Sequence, residues 1–319
     1  MNDRMNDEPV VLVCGAPEQE HERIRAAAPD ADVTFAARAA DVADRLPDAD
    51  VVAGTLDPAA FATAGRLRWI HSWAAGVDGA LFPGLVASPV VLTSSKGNGA
   101  VPLAEHALML MLMLDRDAPR WMRAQGTREW DRFSHGELNG ATCGIVGMGG
   151  AGSALARRAA AFDMRVLGLR RESTRSVPGV ERMYGPAEVV EFAAQVDFLV
   201  VTAALTPQSK GLLGHEALRA MKPTAFYVCV SRGGIADDAA LLATLQEGRI
   251  AGAGLDAHDV EPLPADSPFW SLPNVIVTPH NGATTAATQR RGVDVFVANL
   301  ARFVRGEPLG NVVDKTAGY

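Results

Sequence analysis

The chain alternates short runs of branched aliphatic residues with longer stretches whose apolar positions recur at helical spacing. That alternation predicts parallel sheets flanked by helices, an α/β fold. Strands are expected at Val10–Cys14, Asp32–Phe35, Asp50–Gly54, Leu67–His71 and Val90–Thr93. A long apolar helix follows, with Pro102 suited to its first turn and its end near Leu114. A second series runs through Cys143–Val146, Arg165–Leu169, Asp197–Thr202, Ala225–Val230, Ala251–Leu255 and Val275–Thr278. The segment Thr284–Val304 reads as a closing helix. Six strands after the long helix are the number a full dinucleotide-binding sheet requires, so the first hundred residues and the tail must form something else.

Composition narrows the class. With 319 residues the chain has room for two ordinary domains, and 48% apolar with 21% charged residues is normal globular usage. The longest unbroken apolar run, Ala107–Leu114, is far short of the ~20 residues that span a bilayer. The amino terminus, Met1 to Pro9, is polar and acidic, without the layout of a signal peptide. Together these predict a cytoplasmic protein without membrane attachment. Cys14, Cys143 and Cys229 each sit in an apolar run and lack short pair spacing, so they read as buried small side chains, with no disulfide framework and no metal site. The net charge of −7 is spread along the chain and argues against nucleic acid, yet a local site for an anion remains compatible with it.

The strongest chemical signal follows the first strand of the second series. Gly144-Ile145-Val146-Gly147-Met148-Gly149-Gly150-Ala151-Gly152 holds G-x-G-x-x-G, and the helix-forming stretch Ser153–Phe162 comes next. Gly147 permits a tight turn, Gly149 lets backbone N–H groups approach a pyrophosphate, and Gly152 allows close helix–strand packing. Gly150 and Ala151 belong to the same cofactor-binding loop, and the amino terminus of the helix that follows adds partial positive charge where phosphates would lie. Glycines alone also mark plain turns; here the strand–turn–helix context favours a dinucleotide.

The end of the next strand separates the two nicotinamide cofactors. An NAD site wants a carboxylate there for the ribose hydroxyls. This chain has Leu169-Arg170-Arg171-Glu172-Ser173 instead. Arg170, Arg171 and Ser173 suit a 2′-phosphate, which favours NADP(H) over NAD(H). The competing reading is a solvated basic turn in which Glu172 serves the ribose.

Reduction of a 2-keto acid needs a hydride donor, a proton donor and a cation for the carboxylate. Arg232 follows one late strand, Asp256 and Glu261 follow the next, and His280 follows the last. Each has an ordinary explanation as an ion-pair partner, a plain loop or a packed side chain. Their joint position at the ends of successive strands, where open α/β sheets place ligands, points to chemistry.

The sequence resembles the D-isomer-specific 2-hydroxyacid dehydrogenases, a family that includes glyoxylate/hydroxypyruvate reductases and phosphoglycerate dehydrogenases. The matching stretches are Ala75-Gly76-Val77-Asp78, Ala104-Glu105-His106, the glycine loop and Leu205-Thr206-Pro207-Gln208-Ser209. They continue with Ser231-Arg232-Gly233, Gly254-Leu255-Asp256, Glu261-Pro262-Leu263-Pro264, Pro273-Asn274-Val275 and Thr278-Pro279-His280. The resemblance implies that Arg232 binds the substrate carboxylate, that His280 donates the proton, and that Glu261 hydrogen-bonds that imidazole. It places Asp256 and His280 near the nicotinamide, with Thr202, Cys229, Val230 and Ser231 as further cofactor-side positions. Ala75, Gly76 and Val77 would offer backbone N–H groups to the carboxylate. Family members often carry Asn at the position of Cys229, Pro at that of Ala204, and a small or aliphatic residue at that of Trp73. Trp73 is thus either core packing or a wall of the substrate pocket.

The expected architecture is two Rossmann-like domains, doubly wound parallel sheets with the active-site cleft between them. Residues 1–100 plus 286–319 would form a flavodoxin-like substrate domain, and 101–285 the dinucleotide-binding domain. The resemblance also implies a homodimer built through the region from Pro102 to Trp121, whose helix is apolar on more than one face. Two alternatives share the scaffold: formate- or phosphite-type oxidation, and a nucleotide-sensing corepressor-like protein. Glu261 stands where formate dehydrogenases of the superfamily carry an amide, and intact Arg232, Glu261 and His280 disfavour a purely binding role. The keto acid is left open among glyoxylate, hydroxypyruvate, pyruvate and bulkier acids.

Overall fold

A computed structural model describes residues 8–319; the first seven, which carry most of the polar amino-terminal stretch, lie outside the described residues. The chain divides into two compact units, one running up to Asn98 and including Thr285–Tyr319, the other Gly99–Thr284.

In the first unit, β1 (Val10–Cys14), β2 (Asp32–Ala36), β3 (Val51–Ala53), β4 (Trp69–Ser72) and β5 (Val91–Ser94) form one sheet. Its order is β2-β1-β3-β4-β5 and every pairing is parallel. Inner strands of such a sheet are covered on both faces, which is why β1 reads as an unbroken apolar run. The two-residue repeat of a strand then sorts side chains between the faces. Val11 and Val13 pack with Val293, Phe296 and Leu300 of the helix Ala286–Val304, while Leu12 packs with Leu46, Val52 and Leu85 opposite. That helix begins two residues later than the sequence pattern suggests, because the Thr285 hydroxyl caps it by accepting from the Thr288 N–H at 3.0 Å.

A small polar cluster lies inside this core. His71 is fully buried, with Nδ1 2.9 Å from Thr93 Oγ1 and Nε2 3.1 Å from Ser95 Oγ. Burial pushes its pKa down to about 3, so the ring is neutral.

The second unit contains β6 (Thr142–Val146), β7 (Arg165–Leu169), β8 (Arg182–Tyr184), β9 (Phe198–Val201), β10 (Phe226–Cys229), β11 (Gly252–Leu255) and β12 (Val275–Val277). All pair in parallel, in the order β12-β11-β10-β9-β6-β7-β8. The sheet therefore has seven strands where the pattern suggested six. The extra one, β8, is three residues at the edge, too short to show a periodicity. The winding reverses between β6 and β9, and such a switch point is where doubly wound sheets bind ligands beyond their carboxyl ends.

The long helix, Ala100–Asp115, buries Ala104, Ala107, Leu108, Leu110, Met111 and Leu114. Full burial of a leucine such as Leu110 contributes about 1.5–3 kcal/mol. The helix lies close over β11: a Cβ on Gly254 would come within 3.1 Å of Leu110 Cβ. On its other side Val101 and Met109 are exposed. Among the described residues no helix is long and apolar enough to cross a membrane. Cys14, Cys143 and Cys229 are free and buried, as their apolar surroundings suggested.

Candidate active site

The glycine loop leaves β6 at the switch point. Gly147 has φ +95°, and a Cβ there would come 2.5 Å from the Ala203 backbone. A Cβ on Gly152 would lie 2.0 Å from the Gly147 carbonyl oxygen, so only glycine lets the helix start this close to the strand. That helix runs Gly150–Ala161, three residues earlier than Ser153, and Gly149 caps it with no side chain over its first amides. The Gly147 carbonyl is held by the Thr202 hydroxyl at 2.6 Å. The result is an exposed helix amino terminus with glycine on its approach, which fits a pyrophosphate.

Past the end of β7, Arg170 is half-buried and its N–H donates to the Tyr184 carbonyl at 3.0 Å. Arg171 and Glu172 are both exposed and 3.9 Å apart. Ser173 is half-buried beside Gly185. At the end of β10, Cys229 and Val230 turn their side chains into the core, so these two positions offer only backbone to a ligand. The Ser231 hydroxyl oxygen is buried with no hydrogen-bond partner among the described residues.

Strand register explains why Arg232, Glu261 and His280 meet. Cys229 of β10 aligns with Leu255 of β11, and Leu255 aligns with Val277 of β12. Arg232 and His280 each stand three residues beyond that shared level, flanking the loop that carries Glu261. Two strand spacings are only about 10 Å, within reach of long side chains. His280 Nδ1 lies 2.7 Å from Glu261 Oε2, and Arg232 Nη1 lies 3.5 Å from His280 Nε2. Glu261 Oε1 accepts the His258 N–H at 2.9 Å. Burial works to raise the Glu261 carboxyl, but the His258 N–H and His280 outweigh it and hold the group below the usual carboxylate range.

His280 adopts φ +50°, a left-handed conformation rare outside glycine, and Asp256 brackets it. Asp256 is fully buried. Its Oδ1 accepts from the Thr278 hydroxyl at 2.7 Å and the Asn281 N–H at 3.1 Å; its Oδ2 accepts from the Gly282 N–H at 3.0 Å. His106 Nε2 stands 3.4 Å from Oδ1. Burial alone would raise this carboxyl, yet the hydrogen bonds from His106, Thr278 and Gly282 pull it well below the ordinary range. Asp256 is therefore an ionised clamp on the His280 turn. The sequence reading assigned no role to His106, Thr278 or Asn281. The available signal was a polar residue, His106, immediately before an unbroken apolar helical run.

Trp73, Ala75, Gly76 and Val77 belong to the first unit. The Trp73 indole N–H donates to the Cys14 carbonyl at 2.8 Å, and the ring packs against Phe296 and His71. Within that unit it is a packing residue. Ala75 is exposed, Gly76 half-buried and Val77 buried in the core. The preceding turn is tied down by the Ser95 N–H, which donates to the Ser72 and Ala74 carbonyls.

A dinucleotide cradle and a carboxylate-oriented imidazole at the ends of one sheet's strands describe hydride transfer coupled to proton transfer, the work of a nicotinamide-dependent oxidoreductase. Residues 108–282 match the NAD-binding domain of the D-isomer specific 2-hydroxyacid dehydrogenases, and the chain belongs to that family. It is 34% identical to a glyoxylate reductase of Korarchaeum cryptofilum over 290 residues, 86% of this chain and 85% of that protein. It is 32% identical to a D-3-phosphoglycerate dehydrogenase of Methanocaldococcus jannaschii, of which the match covers only 53%. Among solved structures it resembles an NADPH-dependent glyoxylate/hydroxypyruvate reductase from Sinorhizobium meliloti in complex with NADP and sulfate. That likeness has a TM-score of 0.85 at 31% identity and covers 98% of this chain and 100% of that one. The α/β architecture, the family and the class of NAD(P)-dependent oxidoreductase acting on 2-hydroxy acids agree with the sequence reading.

Proposed function

We propose that the chain reduces a small 2-keto acid to the D-2-hydroxy acid, with His280 as proton donor and NADPH as the preferred cofactor. The observation that carries this reading is the Glu261–His280 bond at Nδ1, which leaves Nε2 beside the Arg232 guanidinium. Gly147, Gly149, Gly150, Ala151 and Gly152 would hold the cofactor pyrophosphate, and the bound nicotinamide supplies the hydride. Arg232 binds the substrate carboxylate through its forked donors and draws electron density from the adjacent carbonyl. His280 Nε2 gives its proton to the carbonyl oxygen, which becomes the hydroxyl. Glu261 remains ionised and stabilises the imidazolium before that transfer. Asp256 keeps the His280 turn in place.

Arg170, Arg171 and Ser173 support NADPH, and the Sinorhizobium meliloti protein was solved with NADP. Exposed Val101 and Met109 on the long helix, with Trp121 and Met122 on the next, support a homodimer formed through this region. The decisive experiment follows NADPH and NADH oxidation with glyoxylate, hydroxypyruvate and pyruvate, and assigns the configuration of the product. Turnover giving the D-isomer is expected with at least one acid. No turnover with any acid and either cofactor would overturn the reading, and sedimentation as a monomer would overturn the dimer.

A further inference from the structure

The second unit holds a small cavity lined by Tyr227, Cys229, Gly233, Asp238, His258 and Phe269 among others. The mechanism above uses none of these side chains. His258 is only 8% exposed, and its Nε2 is buried with no hydrogen-bond partner among the described residues. An imidazole nitrogen so placed costs free energy unless something pairs with it. Asp238, the first residue of the helix Asp238–Gln246, lines the same cavity. Burial and the Asp259 carboxylate raise its carboxyl, while the Asp259 N–H and His258 work the other way. The cavity has room for about one water molecule. Such a water needs at least two polar partners, and the His258 ring and the Asp238 carboxylate both line the cavity, whereas the Tyr227 hydroxyl is paired with Cys229.

The His258 backbone links this cavity to the site. Its N–H holds Glu261 Oε1 at 2.9 Å. Its carbonyl carbon packs so tightly on Gly233 that a Cβ there would lie 2.0 Å away. Gly233 follows Arg232 directly, and the Cys229 thiol, from the cavity wall, donates to the Arg232 carbonyl at 3.3 Å. One residue therefore touches the loops that carry both partners of His280.

We infer that a buried water bridges His258 Nε2 and the Asp238 carboxylate across this cavity, making His258 the positioning residue that sets Glu261 and, through it, His280. The bridge fixes the ring, the ring fixes the backbone of residue 258, and its N–H fixes one carboxylate oxygen. The kinetic part of this inference rests on the proposed keto-acid reduction; the water itself does not.

Two measurements keep the two readings apart. A crystal structure of the free protein, at a resolution that shows ordered water, should contain a water within hydrogen-bond distance of His258 Nε2 and an Asp238 oxygen. Direct contact between those side chains, or no ordered water there, overturns the bridge. Steady-state kinetics of His258→Phe, His258→Gln and Asp238→Asn test the consequence. His258→Phe should lower kcat about tenfold through misplacement, with keto-acid KM within about twofold and the NADPH Kd unchanged. His258→Gln, which returns a polar end to the cavity, should recover most of that loss. Asp238→Asn should also lower kcat, and the double variant with His258→Phe should be no worse than His258→Phe alone. Equal losses in the Phe and Gln variants, or multiplied losses in the double variant, overturn the positioning role. Should His258→Phe not fold, an Asp238→Asn variant with wild-type kcat overturns it instead. A wild-type protein inert toward keto acids would count against the functional reading alone, and the crystal structure would still decide the bridge.

Discussion

His280 Nδ1 bonds to Glu261 Oε2 at 2.7 Å, and that contact assigns the two imidazole nitrogens their tasks. Nδ1 is committed to the carboxylate, so in the proposed mechanism Nε2 is the atom that carries a proton outward. His280→Ala should lower kcat by ~10²-fold or more and leave cofactor binding intact. Kcat across neutral pH, with NADPH titrations by fluorescence, checks both parts. Wild-type turnover in the variant would remove His280 from the mechanism.

Arg232 meets His280 from the end of a strand two places away in the sheet, and its Nη1 also donates to the Ser231 carbonyl at 2.8 Å. A planar guanidinium forks onto a carboxylate in a way that an ammonium cannot. Arg232→Lys should therefore lose nearly as much kcat/KM for the keto acid as Arg232→Ala, with cofactor affinity little changed. A lysine variant close to wild type would show that the contact is not bidentate.

In the proposed reading the turn after β7 governs cofactor choice. Each charged hydrogen bond to a 2′-phosphate contributes roughly 1.5–3 kcal/mol, so two outweigh the nearby Glu172 and shift preference at least tenfold, to order of magnitude. Comparing kcat/KM for NADPH and NADH in wild type should favour NADPH, and Arg170→Asp should reverse or abolish the preference. An unchanged ratio would mean that this turn does not read the phosphate.

His71 gives the first unit a signature in acid. Its folded pKa, about 3, lies below the ordinary value of 6.5, so the folded state binds fewer protons between those limits. Stability from the neutral ring is complete above pH 6.5 and falls as the pH drops toward 3, at about 1.4 kcal/mol per unit. By about pH 5 this amounts to roughly 2 kcal/mol. The window lies above that of Asp256, whose depressed carboxyl matters only below its ordinary pKa of 3.8. Urea unfolding at several pH values should show the loss in wild type and a flatter profile in His71→Gln. Identical profiles would mean that the ring is not held neutral.

Much of this protein is written in local pattern. The strands β1 and β7 match their sequence readings end to end, because inner parallel strands are continuous apolar runs with turn residues at both ends. The glycine loop is equally legible, since only glycine fits at Gly147 and Gly152. The edge strand β8 was not legible: three residues, Arg182-Met183-Tyr184, become a strand only because β7 offers them a partner.

The residue types at the site, their order and their places after successive strands were determined by the sequence alone. Which of them touch was decided by tertiary structure. Arg232 reaches His280 because parallel register brings Cys229, Leu255 and Val277 to one level, and no local pattern encodes register between strands. The same holds for His106, which became a partner of Asp256 when the long helix packed over β11. Trp73 shows the same dependence: its type suited a pocket wall or a core, and only the folded unit brings its indole N–H to the Cys14 carbonyl and its ring against Phe296. Periodicity and turn chemistry act over a few neighbouring residues and survive in the sequence. Contacts between distant segments depend on the folded arrangement of the sheet, and those contacts orient His280.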